Sequence, residues 1–204
     1  MKTTFKKRIW IPLLMTTVWF QAGILSPSVR SVERSLPQFR YEYAREFIKK
    51  SNPAVSPAEI EAILDAVLFA APEIPGGLKI DGKPLDSFDL LLAFIFTEST
   101  FKRDVVSYAG ACGYMQVMPA TLAWMNEQWG GKLTREDLFR TDVNIRWGTR
   151  YLALLLGEFQ SPRLAALAYN AGPFNLRRGL YSESYWQKIL RSYRLLQKGK
   201  PVQI

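Results

Sequence analysis

Apolar residues recur every three to four positions along most of this chain, and no stretch alternates apolar and polar residues long enough to read as a strand. The pattern predicts a mainly α protein with little or no sheet. Residues 26–37, with Pro27, Pro37 and several serines, read as a linker, and an amphipathic helix follows over about 38–50. Ser56-Pro57-Ala58-Glu59 supplies an N-cap, a first-turn proline and a capping-box glutamate. A helix is therefore expected to run to about Ala71, with Ile60, Ile63, Leu64, Val67 and Leu68 at helical spacing. Residues 72–84 are rich in proline and glycine and read as turns. Asp86 or Ser87 can cap the next helix, whose middle is the seven-residue apolar run from Leu90 to Phe96 and whose end falls at Thr97-Glu98-Ser99. Further helices are expected over 120–129, 143–159 with Asp142 as cap, 162–170 and 184–198. A short hairpin within 104–118 is compatible with this layout.

The N-terminus has a different pattern. Lys2, Lys6, Lys7 and Arg8 precede an apolar run over residues 9–25, interrupted by Pro12, Thr16, Thr17, Gln21 and Gly23. This charge-then-apolar order is that of an export signal, either cleaved or kept as a membrane anchor through residues 9–25. No cysteine lies near it for lipid attachment. About 175 residues remain beyond the segment, enough for one domain with its own core.

Composition then narrows the chemistry. Histidine is absent and Cys112 is the one cysteine, which excludes zinc sites of His/Cys type and nucleophiles activated by histidine. The formal charge is +9, and subtracting the four basic groups of the N-terminal segment, which holds no acid, leaves +5. Much of that excess sits late, at Arg177, Arg178, Lys188, Arg191, Arg194, Lys198 and Lys200. Such a surface suits polyanions, including cell-wall polymer, anionic lipid and nucleic acid, and a solvated helix face explains it equally well.

Glu98 is the candidate for catalysis. A carboxyl that follows an apolar run and lies at the negative end of a helix dipole resists ionisation, so it keeps its proton toward neutral pH. A general acid for glycosidic cleavage needs this property, because the leaving oxygen departs poorly unless protonated. The plainer alternative is a surface residue just beyond a helix end. Asp104, six residues on, is the nearest candidate for a second carboxylate, and a solvated loop charge is the simpler reading of it.

Around this acid lie Glu98-Ser99, the block Ser107-Tyr108-Ala109-Gly110-Ala111-Cys112-Gly113-Tyr114-Met115-Gln116-Val117-Met118-Pro119, the segment from Asn144 to Leu152, and Ala168-Tyr169-Asn170-Ala171-Gly172-Pro173. In this order they resemble the catalytic domain of the soluble lytic transglycosylases, a branch of the lysozyme-like superfamily, over about residues 90–180. Tyr114 stands where leucine is usual, Cys112 fills a variable small-residue position, and Thr97 precedes the acid. The resemblance implies a lysozyme-like single catalytic domain of the α+β superfamily. It implies non-hydrolytic cleavage of the MurNAc-GlcNAc β-1,4 bond of peptidoglycan, giving 1,6-anhydromuramic acid products, with Glu98 as acid and then base and no cofactor or metal. It also implies that the Tyr169 hydroxyl sits near the acid and orients it, that Met115 and Gln116 contact sugar, and that Asn170 lies on the same face. Ser107 is expected to bind substrate or shape its loop. Asn144 and Gly148 read as packing residues, and Phe101, Tyr108, Tyr114, Trp124 and Trp129 as core or as sugar-stacking rings.

The organisation that follows is a signal or anchor with the start of a linker over 1–28, an N-terminal helical extension over 29–85, a catalytic core over 86–180, and a basic C-terminal helix and tail over 181–204. The expected setting is the periplasm or cell envelope. The expected partners are glycan strands and, as a candidate, an envelope-assembly protein, with no nucleic acid and a monomeric state. Two other functions stay open on the sequence: a lysozyme-type hydrolase on the same fold, and a wall-binding or secretion-assembly module.

Overall fold

The computed structural model describes residues 36–198, so the segment read as an export signal and the last residues of the tail lie outside the described part. Eight helices carry the described chain: α1 Gln38–Ser51, α2 Pro57–Ala70, α3 Ser87–Ser99, α4 Pro119–Trp129, α5 Thr141–Phe159, α6 Pro162–Ala171, α7 Pro173–Arg177 and α8 Glu183–Lys198. The sheet is one two-residue hairpin, β1 Lys79–Ile80 against antiparallel β2 Lys83–Pro84, inside the segment read as turns. Within 104–118 there are isolated bridges, Val106 with Cys112 and Cys112 with Val117, and no continuous strand. The architecture is mainly α with little sheet.

Local signals set several of the boundaries. The Ser56 hydroxyl accepts the Glu59 N–H at 3.2 Å and Pro57 opens α2, as expected. The Glu59 side chain does not close the capping box. Its carboxylate instead accepts the Tyr114 hydroxyl at 2.6 Å and the Thr141 hydroxyl at 2.7 Å. Asp86 caps α3 by accepting the Asp89 N–H at 3.0 Å. Asp142 caps nothing: α5 begins two residues earlier than expected, at Thr141, with Arg140 at the N-cap position, and Asp142 lies in the first turn, where its charge suits the helix dipole.

Helix α3 is the central element. Residues from Phe88 to Ile95 are all buried, because α8 packs along one side and α2 along another, and Phe47 of α1 meets Phe96 at 5.5 Å. A helix apolar all round belongs inside a protein. Its N-terminus is braced by Arg40 of α1, which pairs with Asp86 at 2.8 Å and Asp89 at 3.1 Å. The Tyr193 hydroxyl of α8 accepts the Asp86 N–H at 3.0 Å. Helix α5 packs on α2 and α6, and α6 packs on α8. These contacts hold the C-terminal end of α3, the loop over 100–118 and the end of α6 in one region.

Candidate active site

Glu98 lies one residue before the end of α3 and is partly buried. The Tyr185 hydroxyl of α8 donates a hydrogen bond to Glu98 Oε1. Phe94, one turn back on α3, packs edge-on against the Tyr169 ring at 5.5 Å and the Tyr185 ring at 6.5 Å. Tyr151 extends the cluster, 5.4 Å from Tyr169. Burial in this setting raises the Glu98 carboxyl from its ordinary 4.5 to about 7, and the Tyr185 hydrogen bond, which favours the ionised form, opposes part of the rise. Burial and the nearby Glu98 carboxylate push the Tyr169 and Tyr185 hydroxyls well above their ordinary range, so both remain donors near neutral pH.

The structure redistributes the roles expected of the neighbouring residues. Tyr169 stands beside the acid, close enough for their charges to interact, but its hydroxyl donates to the Met115 carbonyl at 2.8 Å rather than to Glu98. The hydroxyl that bonds Glu98 belongs to Tyr185, which sequence reasoning missed. Tyr185 is 87 positions from Glu98, and the available signal was its place in the first turn of an amphipathic helix, on the same apolar stripe as Ile189 and Tyr193.

Met115 does not offer its side chain to a groove. It is fully buried, with its sulfur 3.8 Å from the Thr149 hydroxyl and its side chain against Gly148, where any Cβ would overlap it. Only its carbonyl points toward the tyrosine cluster. Gln116 has a left-handed backbone, φ 47°, and its amide group donates to the Val105 carbonyl at 3.2 Å and the Gly113 carbonyl at 2.9 Å. Those bonds leave the amide oxygen as the end of Gln116 that can accept from a ligand. Ser107 shapes its loop, its hydroxyl accepting the Ala111 N–H at 3.0 Å. Asn170 is exposed near the C-terminal end of α6, next to Tyr169.

Asn144 is the internal fastening of this region. Fully buried, it accepts the Met115 N–H at 2.7 Å and donates to the carbonyls of Cys112 at 2.9 Å and Leu138 at 2.8 Å. Gly113 passes so close that a Cβ there would fall 2.3 Å from the Asn144 amide nitrogen, and its φ of +76° also favours glycine. Asp104 is exposed and paired with Arg103 at 3.1 Å. Of the aromatic residues, Phe101 and Tyr114 are core, Trp124 and Trp129 are partly exposed, and Tyr108 stands wholly in solvent on the turn that the Gly110 N–H closes onto the Ser107 carbonyl.

The late basic residues divide. Arg177 pairs with Glu158, and Arg194 pairs with Asp81 at 2.7 Å, whereas Lys188 and Arg191 lie exposed on α8. No described helix is long and apolar enough to cross a membrane.

The chain is 40% identical over 106 residues to the membrane-bound lytic murein transglycosylase C of Serratia proteamaculans, a match covering 46% of this chain and 29% of that one. It is 34% identical over 92 residues to the soluble lytic murein transglycosylase of Escherichia coli, covering 44% and 14%. A solved structure of an inactive mutant of the lytic transglycosylase Slt from Pseudomonas aeruginosa superposes with a TM-score of 0.47 at 28% identity, covering 68% of this chain and 22% of that one. The chain thus spans less than a third of the length of each of these relatives. The model of the transglycosylase SLT domain matches residues 81–190, more than half of the 204, and takes in Glu98, the 104–118 loop, Tyr169 and Tyr185. On that match the chain belongs to the SLT-domain transglycosylase family, with the lysozyme-like fold that membership carries.

Proposed function

We propose that the protein is a peptidoglycan lytic transglycosylase with Glu98 as its catalytic acid and base. The observation that carries this reading is the Glu98 carboxyl, raised by burial to about 7 at the end of a buried helix and held by the Tyr185 hydroxyl. A carboxyl poised near neutrality can give a proton and take one back. Glu98 donates its proton to the glycosidic oxygen, the bond from the muramic C1 breaks, and the leaving N-acetylglucosamine departs with a free 4-hydroxyl. The muramic C6 hydroxyl then attacks C1 and returns its proton to Glu98. The product is a 1,6-anhydro sugar, no water is consumed, and the acid is regenerated. The sugar's own N-acetyl group shields the cationic centre between the two steps, so a second protein carboxylate is not required.

In this reading Tyr185 orients the acid, and Tyr169 braces it indirectly through the Met115 carbonyl. Ser107, Gln116 and Asn170 line the glycan side, and Met115 supports them from beneath. Residues 86–180 form the catalytic core, 29–85 the helical extension, and 181–204 a basic segment whose helix lends Tyr185 to the core. Export to the cell envelope follows from the substrate and from the basic-then-apolar order of residues 1–25.

The test is mass spectrometry of the soluble products released from purified peptidoglycan, with Glu98→Gln in parallel. Anhydromuropeptides that vanish in the variant are expected. Reducing-end products would make the protein a hydrolase, and an absence of products would favour a wall-binding role.

A further inference from the structure

The N-terminal helices grip the chain that follows Glu98 at two places. Immediately after α3, Thr100 and Phe101 are both left-handed, with φ of 52° and 55°. This conformation is costly for such side chains and persists only where the surroundings enforce it. The enforcement comes from α1 and its C-cap. The Asn52 amide donates to the Phe101 carbonyl at 3.1 Å, and the buried Phe101 ring packs edge-on against Phe47 at 6.0 Å.

The second grip is Glu59, at the start of α2. Its Oε1 accepts both the Tyr114 hydroxyl at 2.6 Å and the Thr141 hydroxyl at 2.7 Å, and Arg103 stands 3.7 Å from Oε2. Oxygen-to-carboxylate bonds of this length are of the strong, charge-assisted kind. Burial and Glu59 itself push the Tyr114 hydroxyl far up, so it stays a donor. Tyr114 is buried and adjoins Met115, whose N–H is held by Asn144 and whose carbonyl receives the Tyr169 hydroxyl. Three segments distant in sequence thus meet on one carboxylate that its own helix terminus would otherwise have used.

We propose that Glu59 is a positioning residue for glycan binding: by holding Tyr114 and Thr141 it sets the loop that presents Gln116 to the sugar. The N-terminal extension then belongs to the substrate-binding apparatus. The inference rests on reading 104–118 as the glycan loop. A contact of this kind acts on affinity, because small misplacements of binding groups are expensive.

The experiment measures KM and kcat for peptidoglycan solubilisation by the full chain carrying Glu59→Ala, Glu59→Gln or Tyr114→Phe, with thermal unfolding followed in parallel. Partial unfolding lowers the amount of active enzyme and hence kcat, but leaves KM alone. Expected is a KM rise of about tenfold in Glu59→Ala and Tyr114→Phe, with kcat within about threefold, and near-normal KM in Glu59→Gln, which keeps an acceptor oxygen. Unchanged KM in Tyr114→Phe overturns the proposal, and this variant decides if Glu59→Ala does not fold. A KM rise in Glu59→Gln equal to that in Glu59→Ala overturns it as well. If the unaltered protein releases no product, the catalytic reading fails, and the grip is read from chitotetraose binding by tryptophan fluorescence. Equal affinity of Tyr114→Phe and the unaltered protein, or no binding by either, overturns it there.

Discussion

Replacing Glu98 with glutamine should abolish activity and at the same time make the protein more stable, by an amount that depends on pH. In the unfolded chain the carboxyl has its ordinary value of 4.5, and in the folded protein burial raises it to about 7. Between those values the folded state holds a proton that the unfolded chain has released, so stability falls as pH rises from 4.5 to 7. Each pH unit of that interval is worth 1.36 kcal/mol, which over about 2.5 units gives about 3 kcal/mol; partial exposure of the side chain to water brings the expectation to about 2 kcal/mol. Glutamine carries no charge and escapes the penalty. The stability difference between variant and unaltered protein should therefore be near its baseline at pH 4 and larger by about 2 kcal/mol at pH 8, a melting-temperature gain of roughly 4–8 °C for a chain of this size. Urea denaturation of both proteins at several pH values measures it, and all other carboxyls cancel in the difference. A difference that does not change with pH, or that grows toward acid, would refute the idea that burial holds Glu98 protonated.

Tyr185→Phe removes the hydrogen bond that favours ionised Glu98, so the basic limb of the kcat–pH profile should move to higher pH while kcat falls about tenfold from lost orientation; an unchanged profile would remove Tyr185 from the site. Asn144→Ala strands the buried Met115 N–H and the Leu138 carbonyl, while the Cys112 carbonyl keeps the Val117 N–H, and should cost about 3 kcal/mol in chemical denaturation. Tyr108→Ala touches no packed surface, so stability should stay within about 0.5 kcal/mol; weaker binding of chitotetraose by this variant would identify the ring as a sugar platform.

Where side-chain and backbone chemistry act within a few residues, the sequence was a sufficient guide. Ser56 and Asp86 cap the helices they precede because a hydroxyl or carboxylate three positions before an amide has no nearer competitor. The apolar run before Glu98 likewise required a helix buried on every side. Distant partners undid the same logic elsewhere. The Glu59 carboxylate was expected at its own helix terminus and went to Tyr114 and Thr141, and the boundary of α5 moved with Thr141. At the site, the place of Glu98 at the end of a buried helix was legible because the apolar run and the carboxyl are contiguous in sequence. The hydroxyl that binds it was not, since Tyr169 and Tyr185 carry the same group and only the packing of α6 and α8 on α3 decides which reaches Glu98. Met115 shows the same limit: its position in a motif says that it is near the site, and the close approach of Gly148 decides that its side chain faces inward.

Cys112 sits between its two bridging partners, fully buried, with its thiol 3.3 Å from the Gly110 carbonyl. A thiol reagent can reach it only when that part of the chain lifts away from the body, and with no other cysteine in the sequence every labelling event reports that one motion. The protein therefore carries its own clock for local opening of the 104–118 segment. Its ticking rate, with and without glycan, separates a segment held shut by sugar from one already closed before the sugar arrives.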